Sequence, residues 1–246
     1  MTDQPALLAL WCVPRSRSTA FERAMYERGD FLVVHEPFSR VCDFGVAEVD
    51  HRTCRSQEDV MAALVELAAE QPVFFKDTTD FHFDRLGAQL SFVKRCRHAT
   101  MVRNPPDTVR SHLRMQSDAT SRAMGFQNLW EIVSTVASSD LPIHIVDGDQ
   151  VVEDPEGEMK RYCEAMGIAF MADSLTFRKE PPASWGTTGR WHEGASESSA
   201  LGVAPGERNE LSEELERTVE AYVRDQEPYY DLIMAMRKKH GWGAWR

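Results

Sequence analysis

The chain has 246 residues and a mass of 28.0 kDa, the size of one large α/β core with insertions or of two small domains. Its 42% hydrophobic and 27% charged residues, with 14 Gly and 12 Pro, exclude collagen-like, low-complexity and wholly disordered classes. The net charge of −11 is uneven, with 16 Lys and Arg against 17 Asp and Glu in residues 1–125 and 12 against 22 thereafter, so the chain is a poor general binder of nucleic acid and any anion pocket belongs in the near-neutral half.

The first element, Ala6 to Val13, is a continuous apolar run too short for most helices, as expected of a strand buried on both faces in a parallel sheet. Pro14-Arg15-Ser16-Arg17 breaks it, and a helix is predicted near Thr19, where Thr19 and Glu22 have the T-x-x-E spacing of a capping box. Phe31 to Val34 is the second strand, ending at His35-Glu36-Pro37. Ser56 to Gln71 is a helix with Val60, Leu64 and Leu67 on one stripe. Val73-Phe74-Phe75 is the third strand, stopping at Lys76-Asp77, and Ala99 to Val102 is the fourth, ending at Arg103. Asn104-Pro105 then reads as an N-cap followed by proline at the first helical position.

Leu129, Ile132, Val133 and Val136 mark another helix, Ile143 to Val146 a fifth strand, and Met159, Tyr162, Cys163 and Met166 the core stripe of a helix that starts after Asp154-Pro155. Short apolar strands alternating with amphipathic helices read as βαβ units around a parallel sheet. The stretch 177–207, rich in Gly, Ser, Pro and Glu, is expected to be disordered or to fold over a ligand. From Leu211 a charged helical tail runs to about Lys239, read as a solvated face that could also make a homodimer contact. The expected organisation is one domain over residues 1–246.

No apolar run reaches the roughly 18–20 residues of a membrane helix. The longest, Pro5 to Pro14, follows Asp3 rather than a basic segment and is a poor signal peptide. Five scattered cysteines without a C-x-x-C pair make a disulfide scaffold or zinc ribbon unexpected, and the default compartment is a reducing cytosol. The eight histidines include no H-E-x-x-H, and His51 with Cys54 is the only near pair, so no metal is expected.

In open parallel sheets, ligands bind beyond the carboxyl ends of the strands. Arg15 to Thr19, His35-Glu36, Lys76-Asp77 and Arg103 all stand at such ends. Pro14-Arg15-Ser16-Arg17-Ser18-Thr19 places backbone N–H groups, hydroxyls and arginines at a helix start, suited to a phosphate or sulfate. It is not a Walker A loop, because it has no glycine and no G-K-[ST]. The plainer alternative is a capped helix start with both arginines in solvent.

With these residues the chain resembles the sulfotransferases that use 3′-phosphoadenosine 5′-phosphosulfate (PAPS). The loop is similar to that family's P-[KR]-[ST]-G-[ST]-[ST] phosphosulfate loop, with Arg15 at the basic position and Ser16, Ser18 and Thr19 as its hydroxyls. Arg103 to Ser111 matches R-x-P-x-D-x-x-x-S, whose Arg and Ser hold the 3′-phosphate in the family. Gly186 to Trp191 resembles the later G-x-x-G-x-W loop, which implies nucleotide contacts from Gly189, Arg190 and Trp191. Arg17 departs from the pattern, standing where the family usually has glycine. A side chain there limits positive φ, so either the turn keeps φ negative or the phosphosulfate is seated differently, with Arg17 pairing to it.

The resemblance implies a three-layer α/β/α fold with a central, mostly parallel sheet, P-loop NTPase-like. It also implies sulfonate transfer from PAPS, without a metal, to a hydroxyl or less favourably an amine of a small molecule; neither nucleic acid nor membrane is expected as a partner, on the charge and the apolar runs described above. Glu36 fits the base by position, with His35 as the rival because its ordinary pKa lies nearer neutral. Lys76 resembles the group that stabilises the leaving phosphate. The plainer readings are His35 as a satisfied core histidine, Lys76-Asp77 as a surface ion pair, and Glu36-Pro37 as a strand terminus. Two other functions stay open at this point, a small-metabolite P-loop kinase and a nucleotide-binding module without catalysis.

Overall fold

The computed structural model describes residues 6–182, 184–185, 196–203 and 211–239. In chain order its first elements are β1 (Leu7–Cys12), α1 (Ser18–Arg28), β2 (Leu32–His35), α2 (Pro37–Phe44), β3 (Ala47–Val49) and β4 (Arg52–Cys54). Next come α3 (Gln57–Glu70), β5 (Val73–Thr78), α4 (Leu90–Arg95), β6 (Arg97–Val102), α5 (Pro105–Met115) and α6 (Phe126–Ser138). The chain continues through β7 (Ile143–Asp147), α7 (Gln150–Glu153), α8 (Pro155–Met166) and α9 (Glu213–Lys239).

Five strands form one parallel sheet in the order β2-β5-β1-β6-β7, and β3 and β4 form a separate antiparallel hairpin. β1 is central because both of its faces are apolar: all six of its residues are 0% exposed. Leu7, Ala9 and Trp11 face a core layer that includes Val60 and Leu64 of α3, Leu129 and Val133 of α6, and Val219 and Ile233 of α9. Leu8, Leu10 and Cys12 face the opposite layer, built on Phe21 and Met25 of α1 and on Met159, Tyr162 and Met166 of α8. Helices cover both faces of the sheet, as the alternation of strands and helices predicts.

The helix starts read from polar residues are realised. Asn104 Oδ1 accepts the Asp107 N–H at 2.9 Å with Pro105 leading α5, and Asp154 Oδ1 accepts the Gly157 N–H at 2.9 Å with Pro155 leading α8. The capping box at Thr19 and Glu22 is not. α1 begins at Ser18, with Arg17 as its cap residue and no side-chain cap bond. Glu22 is wholly buried and reaches His35 instead. A threonine in the first turn followed by a core-facing glutamate one turn later meets the same T-x-x-E spacing, and only the packing of α1 on the sheet separates the two cases.

The stretch that begins at Phe177 is ordered where it is described. Phe177 donates its N–H to the Ser199 carbonyl at 2.8 Å, and Leu201 donates to Leu175 at 2.9 Å. Arg23 of α1 clamps this segment through the carbonyls of Ser196 (2.9 Å), Ser198 (3.1 Å) and Lys179 (3.2 Å). The charged tail is a solvated surface on one side only. Val219, Gln226 and Ile233 of α9 are buried, Tyr230 packs edge-on to Phe126, and Glu216 accepts two bonds from Arg110 of α5 at 3.1 and 2.8 Å. Among the described residues, no helix is long and apolar enough to cross a membrane.

Candidate active site

Because β1, β2, β5, β6 and β7 run parallel, the residues that follow them share one edge of the sheet. The turn after β1 is the tightest of these. Arg15 and Arg17 both take left-handed backbone conformations, at φ 64° and φ 75°. Of the two alternatives for Arg17, the one with negative φ is excluded: the arginine adopts the conformation that glycine supplies without strain, at a cost of about 1–2 kcal/mol. Such strain persists only where the surroundings enforce it. Here the Arg17 carbonyl accepts the N–H groups of Ala20 (3.2 Å) and Phe21 (3.3 Å), which ties the turn into α1. Ser16 is wholly buried, and its hydroxyl meets no hydrogen-bond partner among the described residues. Ser18 is buried and Thr19 half-buried in the first turn of α1. A buried hydroxyl without a partner, between two strained arginines at a helix N-terminus, fits an anionic ligand.

The two motif segments meet. Arg15 Nε donates to Ser111 Oγ at 3.1 Å, joining residues 96 apart in the chain. Arg103, at the end of β6, is held by Asp107 Oδ2 at 2.6 Å and Asp149 Oδ1 at 3.1 Å, while Asn104 donates its side-chain amide to Asp149 Oδ2 at 2.7 Å. Asp149 belongs to the turn after β7, which the sequence reading left out. So does Gly148, where an added Cβ would lie 2.4 Å from the Ser16 carbonyl and 3.1 Å from that of Val102. The β7 turn thus passes directly against the β1 turn, and only glycine fits between them. The sequence signal was the tripeptide Asp147-Gly148-Asp149 at a strand end, which has meaning only once β7 is known to lie beside β6.

The β2 and β5 ends form the second half of the site. Their register places His35 beside Lys76. The Lys76 ammonium, almost wholly buried, donates to Glu36 Oε1, and His35 Nε2 lies 3.5 Å from Glu36 Oε2. On the far side of the ring, His35 Nδ1 contacts both Glu22 oxygens, at 3.0 and 2.9 Å. Two bonded pairs, Glu22–His35 and Lys76–Glu36, therefore stand side by side, with 3.5 Å between His35 Nε2 and Glu36 Oε2. Burial opposes the Lys76 charge, but the facing carboxylates of Glu36 and Glu22 outweigh it and hold the ammonium pKa above its ordinary value.

The surface ion pair considered for Lys76-Asp77 does not exist, since both residues are buried and face different partners. Asp77 accepts the N–H groups of Phe38 (2.6 Å) and Ser39 (3.1 Å) and the Ser39 hydroxyl. Burial pushes its carboxyl up to about 8 against those donors. Asp80 is pushed up to about 6 by burial and by the Glu36 charge. Trp185 packs against His35 with ring centroids 6.1 Å apart. Gly189, Arg190 and Trp191 lie outside the described residues. Among the described residues, no group of three or more His, Cys, Asp or Glu side chains could hold a metal ion.

A family model described as a sulfotransferase domain matches residues 7–235. The chain belongs to the sulfotransferase domain family. The fold agrees with that membership. A sulfotransferase from Alicyclobacillus acidocaldarius superposes with a TM-score of 0.54 at 10% identity, over 96% of this chain and 97% of that one. The sulfotransferase domain of the Synechococcus PCC 7002 olefin synthase superposes with a TM-score of 0.52 at 14% identity, over 89% and 95%. These neighbours share the P-loop NTPase-like arrangement of a central parallel sheet flanked by helices. Two curated Arabidopsis thaliana relatives, branched-chain-amino-acid aminotransferase-like proteins 1 and 2, are 23% and 22% identical over 76% and 74% of this chain. The sulfotransferase-family chain spans about a third of their length, 35% and 33%, and the activity in their names is theirs.

Proposed function

We propose that the chain transfers a sulfonate group from PAPS to a hydroxyl, in preference to an amine, of a small-molecule acceptor, with Glu36 as general base. The observation that supports this reading is the Arg15–Ser111 hydrogen bond of 3.1 Å, which joins the strained β1 turn to the second turn of α5. On the same edge of the sheet, at the ends of β2 and β5, stands a carboxylate–ammonium pair, Glu36 and Lys76.

PAPS supplies an activated S–O bond to a phosphate. In this reading Ser16, Arg17, Ser18 and Thr19 surround the phosphosulfate, and the unpartnered Ser16 hydroxyl fits that task. Arg103 and Ser111 hold the 3′-phosphate, and Gly189, Arg190 and Trp191 complete the nucleotide site. Glu36 takes the proton of the attacking hydroxyl. Lys76 and Arg15 meet the negative charge that gathers on the leaving phosphate oxygen, in a water-poor setting where fixed charges act most strongly. Of the two candidate bases, Glu36 is favoured because its side chain is 14% exposed whereas that of His35 is 1% exposed, so an acceptor can touch the carboxylate but not the ring. The same reading treats residues 1–246 as one catalytic domain working in the cytosol, without nucleic-acid or membrane partners.

Calorimetry with adenosine 3′,5′-bisphosphate, AMP and ATP tests the donor assignment. Charge-assisted bonds to the 3′-phosphate are worth about 1.5–3 kcal/mol each. The bisphosphate should therefore bind at micromolar affinity or better, and AMP roughly ten to a hundred times more weakly. Equal affinities would overturn the reading. A turnover abolished by EDTA and restored by magnesium would point instead to phosphoryl transfer, in which magnesium bridges the phosphates.

A further inference from the structure

We propose that Glu22 is a positioning residue for the reaction: it fixes the hydrogen of His35 on Nδ1, so that Nε2 receives the proton that Glu36 takes from the acceptor. This rests on the reading of Glu36 as the base and adds a place for the proton to go.

The starting point is a carboxylate with no packing reason to be charged. Glu22 lies in the second turn of α1, on the face that also buries Phe21 and Met25, and it is 0% exposed. Burial of a carboxylate is unfavourable unless a partner compensates it. An apolar residue would serve α1's contact with the sheet equally well. Both Glu22 oxygens instead meet one atom, His35 Nδ1, at 3.0 and 2.9 Å. An ionised carboxylate only accepts, so Nδ1 carries the hydrogen and Nε2 is the nitrogen left to exchange one.

Nε2 lies 3.5 Å from Glu36 Oε2. Among the described residues, the titratable groups at the ring and its partner include Glu22 from α1, Glu36 from the start of α2 and Lys76 from β5, with Asp77 and Asp80 acting on Glu36, and the Trp185 ring packs 6.1 Å away. A proton arriving on Nε2 leaves the imidazolium facing Glu22 and the Lys76 ammonium facing Glu36, so each cation keeps a carboxylate beside it.

The step balances. The acceptor O–H bond breaks as the new O–S bond forms, and the bond from sulfur to the phosphate oxygen breaks with its electron pair left on that oxygen. The proton passes to Glu36 and from there to His35 Nε2, and after turnover it returns through the partly exposed Glu36 carboxylate to solvent. Glu36 leaves the step as a carboxylate, ready for the next acceptor. His35 is thereby neither a core histidine nor the first base, and the arrangement explains why histidine and glutamate are adjacent at the end of β2.

Two measurements test this. In 15N-histidine-labelled, ligand-free protein, the His35 signals, assigned by their loss in His35→Asn, should show a protonated Nδ1 and an unprotonated Nε2, and a ring protonated at both nitrogens overturns the proposal. An unprotonated Nδ1 overturns the proposal, and this measurement needs no variant at position 22 to fold. In steady-state kinetics, Glu22→Gln should lower kcat by about tenfold or more, while the donor KM and bisphosphate affinity stay within about twofold. In a Glu36→Gln background the same change should cost less than about twofold, because its route is already cut. Losses that multiply would assign Glu22 to the fold alone and overturn the proposal. The two readings fail separately. A fully active Glu36→Gln removes the base assignment and the relay with it, whereas an impaired Glu36→Gln beside a fully active Glu22→Gln removes only the relay.

Discussion

Asp77 caps the helix that Glu36 opens. Glu36 occupies the N-cap position of α2 in a left-handed conformation, φ 46°, and its side chain makes no capping bond. The capping is done across the sheet by Asp77, which accepts the N–H groups of Phe38 and Ser39 at 2.6 and 3.1 Å. An N-cap carboxylate ordinarily folds back on its own helix. With that role filled from β5, the Glu36 carboxylate is turned toward Lys76 and His35.

The first prediction concerns this carboxylate. Glu36→Gln keeps the shape and one acceptor oxygen but cannot take a proton, so turnover should fall by at least about a hundredfold, the usual contribution of a general base. Bisphosphate affinity should stay within a few-fold, because the acceptor side is the one altered. His35→Asn should fold and lose less, about tenfold, since Glu36 still receives the proton. An active Glu36→Gln with a folded but inactive His35→Asn would transfer the base role to histidine.

Arg17 provides the second. It takes φ 75° in a turn where glycine would be unstrained. Arg17→Gly should therefore raise unfolding stability, or leave it unchanged, with the gain from relieved strain limited to about 1 kcal/mol because glycine also loosens the unfolded chain. The same change should weaken bisphosphate binding if the guanidinium pairs with the donor. Stability and affinity moving in opposite directions would show that the strain is retained for the ligand. A clear loss of stability by denaturant titration would show that the Arg17 side chain itself holds the turn.

The third is a pH dependence. Burial holds His98, His112 and His144 down to about 4, against about 6.5 in an unfolded chain. Between those values the unfolded state binds more protons at these sites, so their contribution to stability is present above about 6.5 and is lost as pH falls toward 4. His98 illustrates the cause: it accepts the Trp11 indole N–H on Nδ1 at 3.2 Å, which a protonated ring cannot do. Asp77 and Asp80, pushed up to about 8 and about 6, act in the opposite sense and bind protons first in the folded state. Three groups against two leave a net acid limb of about one proton. Urea midpoints should fall from pH 6 to pH 4, and His144→Phe should flatten that limb. A wild-type midpoint that is constant or rises on acidification would show that these imidazoles do not govern it.

How far each residue could be read depends on whether its cause is local. Pro105 after Asn104 and Pro155 after Asp154 act within one turn of their helices, and both starts were legible. The continuous apolar run of β1 was legible as a strand covered on both faces, because burial demands no partner of a particular identity. The hairpin of β3 and β4, only three residues a strand, was not, since its residues alternate too briefly to show a period. Glu22 was misread because its spacing to Thr19 is a local pattern, while its true partner is thirteen residues away on a neighbouring strand.

The amino-acid sequence by itself determined the α/β class, the polar residues at the strand ends and the two motif segments after β1 and β6, all of which follow from periodicity, breakers and short motifs. Tertiary structure alone decided that Arg15 meets Ser111, that Gly148 admits the Ser16 carbonyl, and that the Glu22–His35 and Lys76–Glu36 pairs stand side by side. The physical reason is the strand order. Hydrogen bonding in the order β2-β5-β1-β6-β7 sets segments far apart in sequence side by side, and neither composition nor local spacing encodes which strand lies next to which.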